Sequence, residues 1–297
     1  MMKIIKSIIL ILFCASVSQA QSPNDELRNI DSTKPFILTY KKIDSVRLDL
    51  TFRYPPKFKK NKKYPAIIFF FGGGWNGGTT EQFKPQAEYF ASRGMITVLA
   101  DYRVKSRHKT TPYEASSDAK SAIRFLRQHA EELNIHTEKI VASGGSAGGH
   151  LAAVTGVCPT LDEPDEDLNI SSKANALVLF NPVFDNGPEG FCHERMGERW
   201  KEISPAHNIS KDAPPTIVFL GREDHLIPAS VAENYKAKMD EAGCRCDLFL
   251  YDDAGHGFFN NYKYDGKFYV ETVRETDRFL KSLGYVKGKP KISLNSK

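Results

Sequence analysis

Several patterns are missing from this chain of 297 residues, and each absence narrows what it can do. The Cys244-x-Cys246 pair has no second pair to match it, and the eight histidines are scattered. The ligand spacings of a zinc site are therefore not met, and no metal is expected. There is no arginine stripe and no RNA-binding signature. The formal net charge of +5 is only mildly basic, so nucleic acid is not an expected partner. Beyond residue 20 no apolar run nears the ~20 residues that cross a bilayer, so no membrane association is expected after removal of the N-terminal segment. No internal repeat is present, which removes solenoids and propellers. The glycine run at 72–74 lacks the lysine and Ser/Thr of a phosphate-binding loop, and no cofactor is expected.

What is present starts at the N-terminus. Residues 1–6 are basic, 7–17 are apolar, and Ser18-Gln19-Ala20 ends on small residues. That order reads as a secretory signal peptide at 1–20, cut after Ala20, so an exported protein, periplasmic or secreted, is expected. Cys14 could mark a lipoprotein, but bulky Phe13 stands where a small residue belongs. Residues 21–297 fit a single α/β domain. Four cysteines remain there: Cys158, Cys192, Cys244 and Cys246. An exported compartment permits a Cys158–Cys192 bridge, and free buried thiols fit the sequence equally well. Oligomeric state leaves no trace in the sequence.

Short apolar, β-branched or aromatic runs read as strands at 36–40, 46–54, 66–71, 96–100, 140–143, 176–180, 216–220 and 248–251. The second alternates, with Val46, Leu48, Leu50 and Phe52 on one side, which predicts a half-exposed antiparallel strand. The later runs are continuously apolar, as parallel strands covered on both faces require. Helical patterns fall between them at 80–92, 113–133, 230–242 and 268–283, with a further helix-compatible stretch at 151–155. Strand and helix alternate, so the expected class is α/β, with a mostly parallel central sheet. Residues 158–173 and 183–213 break this rhythm. They are rich in Pro, Asp, Glu, Asn and Gly, and are expected to form the substrate rim or a lid.

The chemistry concentrates at Gly144-Gly145-Ser146-Ala147-Gly148-Gly149-His150, between the apolar run ending at Ser143 and the stretch 151–155. Small residues around a serine, between strand and helix, mark a nucleophile elbow. A serine hydroxyl needs a base to take its proton and an acid to orient that base. On such a sheet the chain order is Ser, then Asp or Glu, then His. Asp224 follows the strand at 216–220 and is the candidate acid, with Glu223 one step away. His256, in Gly255-His256-Gly257 after the last strand, is the candidate base. His150 is expected to support the oxyanion region from the elbow helix, and His225 to point to the rim. His108, His129, His136, His193 and His207 lack a strand-end context. Negative charge on the attacked oxygen needs fixed N–H donors. Ala147 is one candidate donor. Phe71-Gly72-Gly73-Gly74-Trp75, after a buried strand, permits the close backbone approach that further donors require.

With these pieces in this order the chain resembles the α/β-hydrolase esterases. It is most similar to the hormone-sensitive-lipase-like branch with its exported bacterial acetylxylan and feruloyl esterases. The likeness spans residues 40–285 and rests on 71–75, Asp101-Tyr102-Arg103, 144–150, 221–228 and 255–258. It implies the α/β-hydrolase fold, with N-terminal antiparallel strands and helices on both faces of the sheet. It also implies a Ser146–His256–Asp224 triad, and an oxyanion hole formed by the N–H groups of Gly73, Gly74 and Ala147. Phe71 departs from the family, which usually has histidine there. The expected activity is hydrolysis of acyl esters, acetyl or feruloyl, on polysaccharide fragments through an acyl-enzyme. Trp75 and His225 are candidate substrate contacts. One alternative is a serine exopeptidase or amidase using Glu189, Glu194 or Glu198 to hold a peptide amine. Another is a non-catalytic binding module on the same fold.

Overall fold

The computed structural model describes residues 31–293. The signal-peptide reading at 1–20 lies outside the described residues, as does the tail at 294–297. Eight strands form one sheet: β1 (Phe36–Ile43), β2 (Val46–Arg53), β3 (Tyr64–Phe70), β4 (Ile96–Ala100), β5 (Ile135–Gly145), β6 (Ala176–Phe180), β7 (Thr216–Gly221) and β8 (Cys246–Tyr251). Their spatial order is β1-β2-β4-β3-β5-β6-β7-β8. β1–β2 and β2–β4 pair antiparallel, and every pairing from β4 to β8 is parallel.

Residue pattern explains both halves. In β2, Leu48, Leu50 and Phe52 are buried while Arg47, Asp49, Thr51 and Arg53 are not, the alternation of a strand with one face on the core. Every residue of β4, β6 and β7 is buried. Each large apolar side chain so placed contributes about 1.5–3 kcal/mol relative to exposure.

Five helices of nine or more residues pack against this sheet or one another: α1 (Lys84–Ser92), α2 (Pro112–Gln128), α3 (Ala147–Val157), α4 (Ala229–Glu241) and α5 (Lys267–Ser282). The stretch expected at 80–92 is split, because Pro85 cannot donate into a continuous helix. A 3-10 turn at Thr80–Phe83 precedes α1. α2 opens with a capping box between Thr111 and Glu114 and proline at its first turn. It stops at Gln128 rather than 133, since the chain must reverse there. Asn134 takes a left-handed φ of 58°, and the Ile135 N–H bonds back to the Ala130 carbonyl. β5 starts five residues earlier than its apolar run, because exposed His136, Thr137 and Glu138 conceal its first half.

Cys158, Cys192, Cys244 and Cys246 are all free thiols, so the Cys158–Cys192 bridge is not formed. Burial pushes the Cys158 and Cys246 thiols up to about 12. Among the described residues no helix is long and apolar enough to cross a membrane.

The two irregular segments part company. Residues 158–173 begin at the far end of α3, about 16 Å of helix from Ser146. Asp162 pairs with Lys120 at 2.6 Å and also with Arg124, and Glu166 pairs with Arg124, so this segment is tied to α2. Its expected place in the substrate rim or a lid gives way to that location. Residues 183–213 do reach the glycine loop: Arg195 Nη1 donates to the Gly74 carbonyl at 2.7 Å.

A stack of phenylalanines carries the strand ends. Phe83 lies 5.3 Å from Phe69 and 5.4 Å from Phe259, and Phe180 lies 4.7 Å from Phe259 and 5.2 Å from Phe219. Each such pair adds about 0.5–1.5 kcal/mol beyond its buried area. Phe259 is three residues beyond His256, so the stack also fixes the loop after β8. The loops after β3, β5, β6, β7 and β8 all leave the carboxyl ends of parallel strands, where α/β sheets place their ligand crevice.

Candidate active site

Ser146 directly follows β5 and caps α3 with φ 55° and ψ −121°. A non-glycine residue held there stores about 1–3 kcal/mol of strain, so the surroundings must impose it. They do so through the Ser146 N–H, which donates to the Phe180 carbonyl at 2.9 Å, and through Gly148. A side chain at Gly148 would put its Cβ 2.0 Å from the Phe70 carbonyl oxygen, so only glycine lets α3 start this close to β3.

The Ser146 hydroxyl lies 2.9 Å from His256 Nε2, and His256 Nδ1 lies 2.7 Å from Asp224 Oδ2. With the carboxylate as acceptor, Nδ1–H donates to it, and Nε2 is left to accept the serine proton. The Asp224 side chain is wholly buried, and its Oδ1 accepts from the N–H groups of Leu226 at 2.9 Å and Ile227 at 3.0 Å. Glu223, the other candidate acid, faces solvent. The histidine loop is held by Lys263, which donates to the His256 carbonyl at 2.8 Å, and by Tyr264, whose hydroxyl accepts from Gly255 N–H at 3.0 Å. The structure thus brings Ser146, Asp224 and His256 into one hydrogen-bonded relay.

The glycine loop runs alongside. At Gly72 a Cβ would sit 3.4 Å from that of Ser146. Gly73 has φ +128°, and a side chain there would strike the Gly77 carbonyl at 2.2 Å. The loop folds on itself through Asn76 and Gly77 N–H groups donating to the Gly73 carbonyl at 3.0 and 3.3 Å. Those bonds do not use the N–H groups of Gly73 and Gly74. Ala147 is the first residue of α3, where the helix leaves its N–H without an intrahelical acceptor. Phe71 takes its place by packing: its ring stacks on Tyr102 at 4.2 Å, and the Tyr102 hydroxyl donates to the Phe71 carbonyl at 2.7 Å.

Trp75 does not face a substrate. It is 0% exposed, and it meets His150 edge-on at 4.9 Å under the Arg195 guanidinium. It is a packing residue because the 183–213 segment covers it. His150 supports the glycine loop through that contact and donates from Nε2 to the Ile203 carbonyl at 2.8 Å. Burial lowers its pKa to about 4. His225 stands exposed beside Asp224. Glu189, Glu194 and Glu198 are all exposed and form no ion pair among the described residues. Among the described residues no group of three or more His, Cys, Asp or Glu could hold a metal ion.

Several residues here carry no sequence signal. Gln82 Oε1 accepts the Gly72 N–H at 2.6 Å, and Gln82 Nε2 donates to Asn260 Oδ1 at 3.2 Å. Asn181 Oδ1 accepts from Gly257 N–H at 3.1 Å, and its Nδ2 lies 3.4 Å from His256 Nε2. Only the position of Asn181 directly after a parallel strand hinted at a place in the crevice. The arrangement can move a proton from a serine hydroxyl to an imidazole while backbone N–H groups stand nearby for a developing negative charge.

Comparison with known proteins fits this geometry. The BD-FAE family profile matches residues 50–191, and the dienelactone hydrolase family profile matches residues 173–284. The structure of Thermogutta terrifontis esterase 2 phosphoramylated by tabun superposes with a TM-score of 0.84 at 46% identity, covering 88% of this chain and 98% of that one. Esterase LipC of Mycobacterium tuberculosis is 27% identical over 66% of this chain and 54% of its own length. An acetylxylan esterase of Xylanibacter ruminicola is 23% identical over 75% of this chain and 47% of its own length. The chain thus spans about half the length of these two curated relatives. The shared sheet, the crevice at its strand ends and the likeness over nearly the whole of the Thermogutta protein show that this chain belongs to the α/β-hydrolase esterases.

Proposed function

We propose that this chain is a serine carboxylic ester hydrolase acting through an acyl-enzyme. The observation that carries the reading is the relay of 2.9 Å from Ser146 to His256 and 2.7 Å from His256 to Asp224. Ser146 Oγ forms a bond to the ester carbonyl carbon while its proton passes to His256 Nε2. The carbonyl oxygen takes the negative charge, with the N–H groups of Gly73, Gly74 and Ala147 as its donors. Collapse breaks the bond to the alkoxy oxygen, which leaves with the proton from Nε2. Water repeats the sequence on the acyl-serine and releases the acid.

The substrates we assign are acetyl or feruloyl esters on polysaccharide or oligosaccharide fragments. The acetylxylan esterase among the relatives supports that class, and the 183–213 segment against the glycine loop supplies a rim to select it. Export after cleavage near Ala20 would place the enzyme with such substrates. The test is acetate and ferulate release from a panel of acylated polysaccharides, with Ser146→Ala as control. Release should fall by at least about a thousandfold in the control. Equal release by the control would remove Ser146 from the chemistry, and no release from any polysaccharide would remove the carbohydrate class.

A further inference from the structure

A cavity of about 300 Å³ lies beside the glycine loop, lined by Lys105, Lys109, Thr110, Thr111, Pro112 and Arg195. Its walls are joined to that loop: Arg195 Nη1 donates to the Gly74 carbonyl at 2.7 Å, and Lys105 N–H donates to the Trp75 carbonyl at 3.0 Å. Gly74 is two residues from Gly72, so at most ~8 Å of chain separates the cavity wall from the residue that flanks Ser146.

The charge here is unbalanced. Neighbouring cations are matched, Arg107 with Asp101 at 2.5 Å and Arg103 with Asp118 at 2.7 Å. Lys105, Lys109 and Arg195 have no carboxylate partner among the described residues. Arg195 Nη2 is buried without a hydrogen-bond partner, and so is Thr110 Oγ1. Glu114, at the adjoining helix start, is engaged by the N–H and hydroxyl of Thr111. Glu194 and Glu198 are exposed. A buried guanidinium N–H left open has a desolvation cost that an anionic acceptor removes, and Lys105 and Lys109, both exposed, bring two point charges to the rim of the cavity.

We infer that this cavity is a subsite for an anionic substituent on the substrate, so that the enzyme prefers acidic saccharide esters over neutral ones. The inference rests on the esterase reading for its link to turnover, though not for binding. The shared ligand chemistry is a sugar-borne oxyanion, either a uronate carboxylate or a sulfate half-ester.

Calorimetric titration of full-length Ser146→Ala protein with three xylo-oligosaccharide sets separates these: neutral, glucuronate-bearing and sulfated. An acidic ligand should bind about tenfold tighter than the neutral one at low salt, and the preference should shrink below about twofold in about 0.5 M sodium chloride. It should shrink equally when Lys105→Gln and Lys109→Gln are added, with thermal melting checking that the fold is intact. Whichever acidic set binds tighter names the anion. Equal affinity for all three sets overturns the subsite, and so does a preference that the lysine substitutions leave unchanged. Hydrolysis of a neutral nitrophenyl acetate by the unsubstituted protein runs in parallel. Its failure strikes the esterase reading alone, because the titration does not depend on turnover.

Discussion

Gln82 and Asn260 are hydrogen-bonded at 3.2 Å across 178 positions of chain, and through them the glycine loop is tied to the histidine loop. Gln82 also accepts the Gly72 N–H, while Asn260 Nδ2 donates to the Gly257 carbonyl at 2.7 Å. One amide therefore sets the spacing between the glycine loop and His256. In Gln82→Leu that tie is lost with little change of volume. The expected outcome is a fall of about tenfold to a hundredfold in kcat on a nitrophenyl acetate, with KM moving much less, because misplacement acts on the transition state. Gln82→Glu keeps the acceptor for Gly72 and loses the donor to Asn260, so its rate should lie between. Steady-state kinetics at wild-type kcat for Gln82→Leu would show that the loops hold their spacing without it.

Asp224→Asn tests the other side of His256. The carboxylate accepts from Nδ1–H at 2.7 Å, and its second oxygen is already occupied by two backbone N–H groups. The amide will keep its oxygen on those donors and turn its NH2 towards the ring. The ring must then carry its proton on Nε2, where it can no longer accept from Ser146. A fall of about 10⁴ in kcat is expected, the size seen when a triad base is locked in the wrong tautomer. Exposed Glu223→Gln is the comparison and should stay near wild type. A similar loss in both variants would point to the loop as a whole instead of the Asp224 carboxylate.

Much of this was readable in the sequence, for local reasons. The elbow demands small residues within two positions of Ser146, and parallel strands demand unbroken apolar runs, so both leave short-range signatures. The order of strand ends then gave Asp224 and His256 as partners to look for. Gln82, Asn181 and Asn260 leave no such mark, because a polar side chain that bridges two loops looks like any loop residue. Trp75 misled for the same reason. An aromatic beside a glycine run reads as a platform, and its burial is decided by Phe191 and Arg195 more than a hundred residues away, the latter over its ring. The short helices inside 183–213 also escaped reading, since His193–Met196 and Trp200–Ile203 are each a single turn and too short to show a period.

His150 makes stability depend on pH in a defined window. Burial holds its folded pKa at about 4, below the ordinary value of 6.5. Below 6.5 the unfolded chain takes up a proton that the folded chain refuses, so stability falls as pH drops from 6.5 towards 4 and the loss is complete below that. One group shifted this far accounts for about 3 kcal/mol over the window. Urea unfolding at pH 7 and pH 4.5 should show the difference, and His150→Gln should flatten that dependence while weakening the protein at pH 7. An unchanged slope in the variant would assign the acid sensitivity to other groups.

Asp277 offers the sharpest stability test, because it is buried inside α5 and accepts three hydrogen bonds from two residues. Its carboxylate accepts from Arg93 Nε at 2.5 Å and Nη2 at 3.1 Å, and from the Tyr89 hydroxyl at 2.6 Å. Arg93 in turn donates to the Lys287 carbonyl at 2.7 Å, so one carboxylate joins α1, α5 and the segment after α5. Arg93 is nearly as buried, with 4% of its side chain exposed. Asp277→Ala strands that guanidinium without its counter-charge and should cost about 3–5 kcal/mol in denaturant unfolding, whereas removing both charges in Arg93→Met with Asp277→Leu should recover much of the loss. Neither residue touches the relay, so kcat per folded molecule should hold at wild type while the unfolding midpoint drops. A double variant as unstable as Asp277→Ala would mean that the Tyr89 and Lys287 hydrogen bonds, and not the ion pair, hold these three segments together.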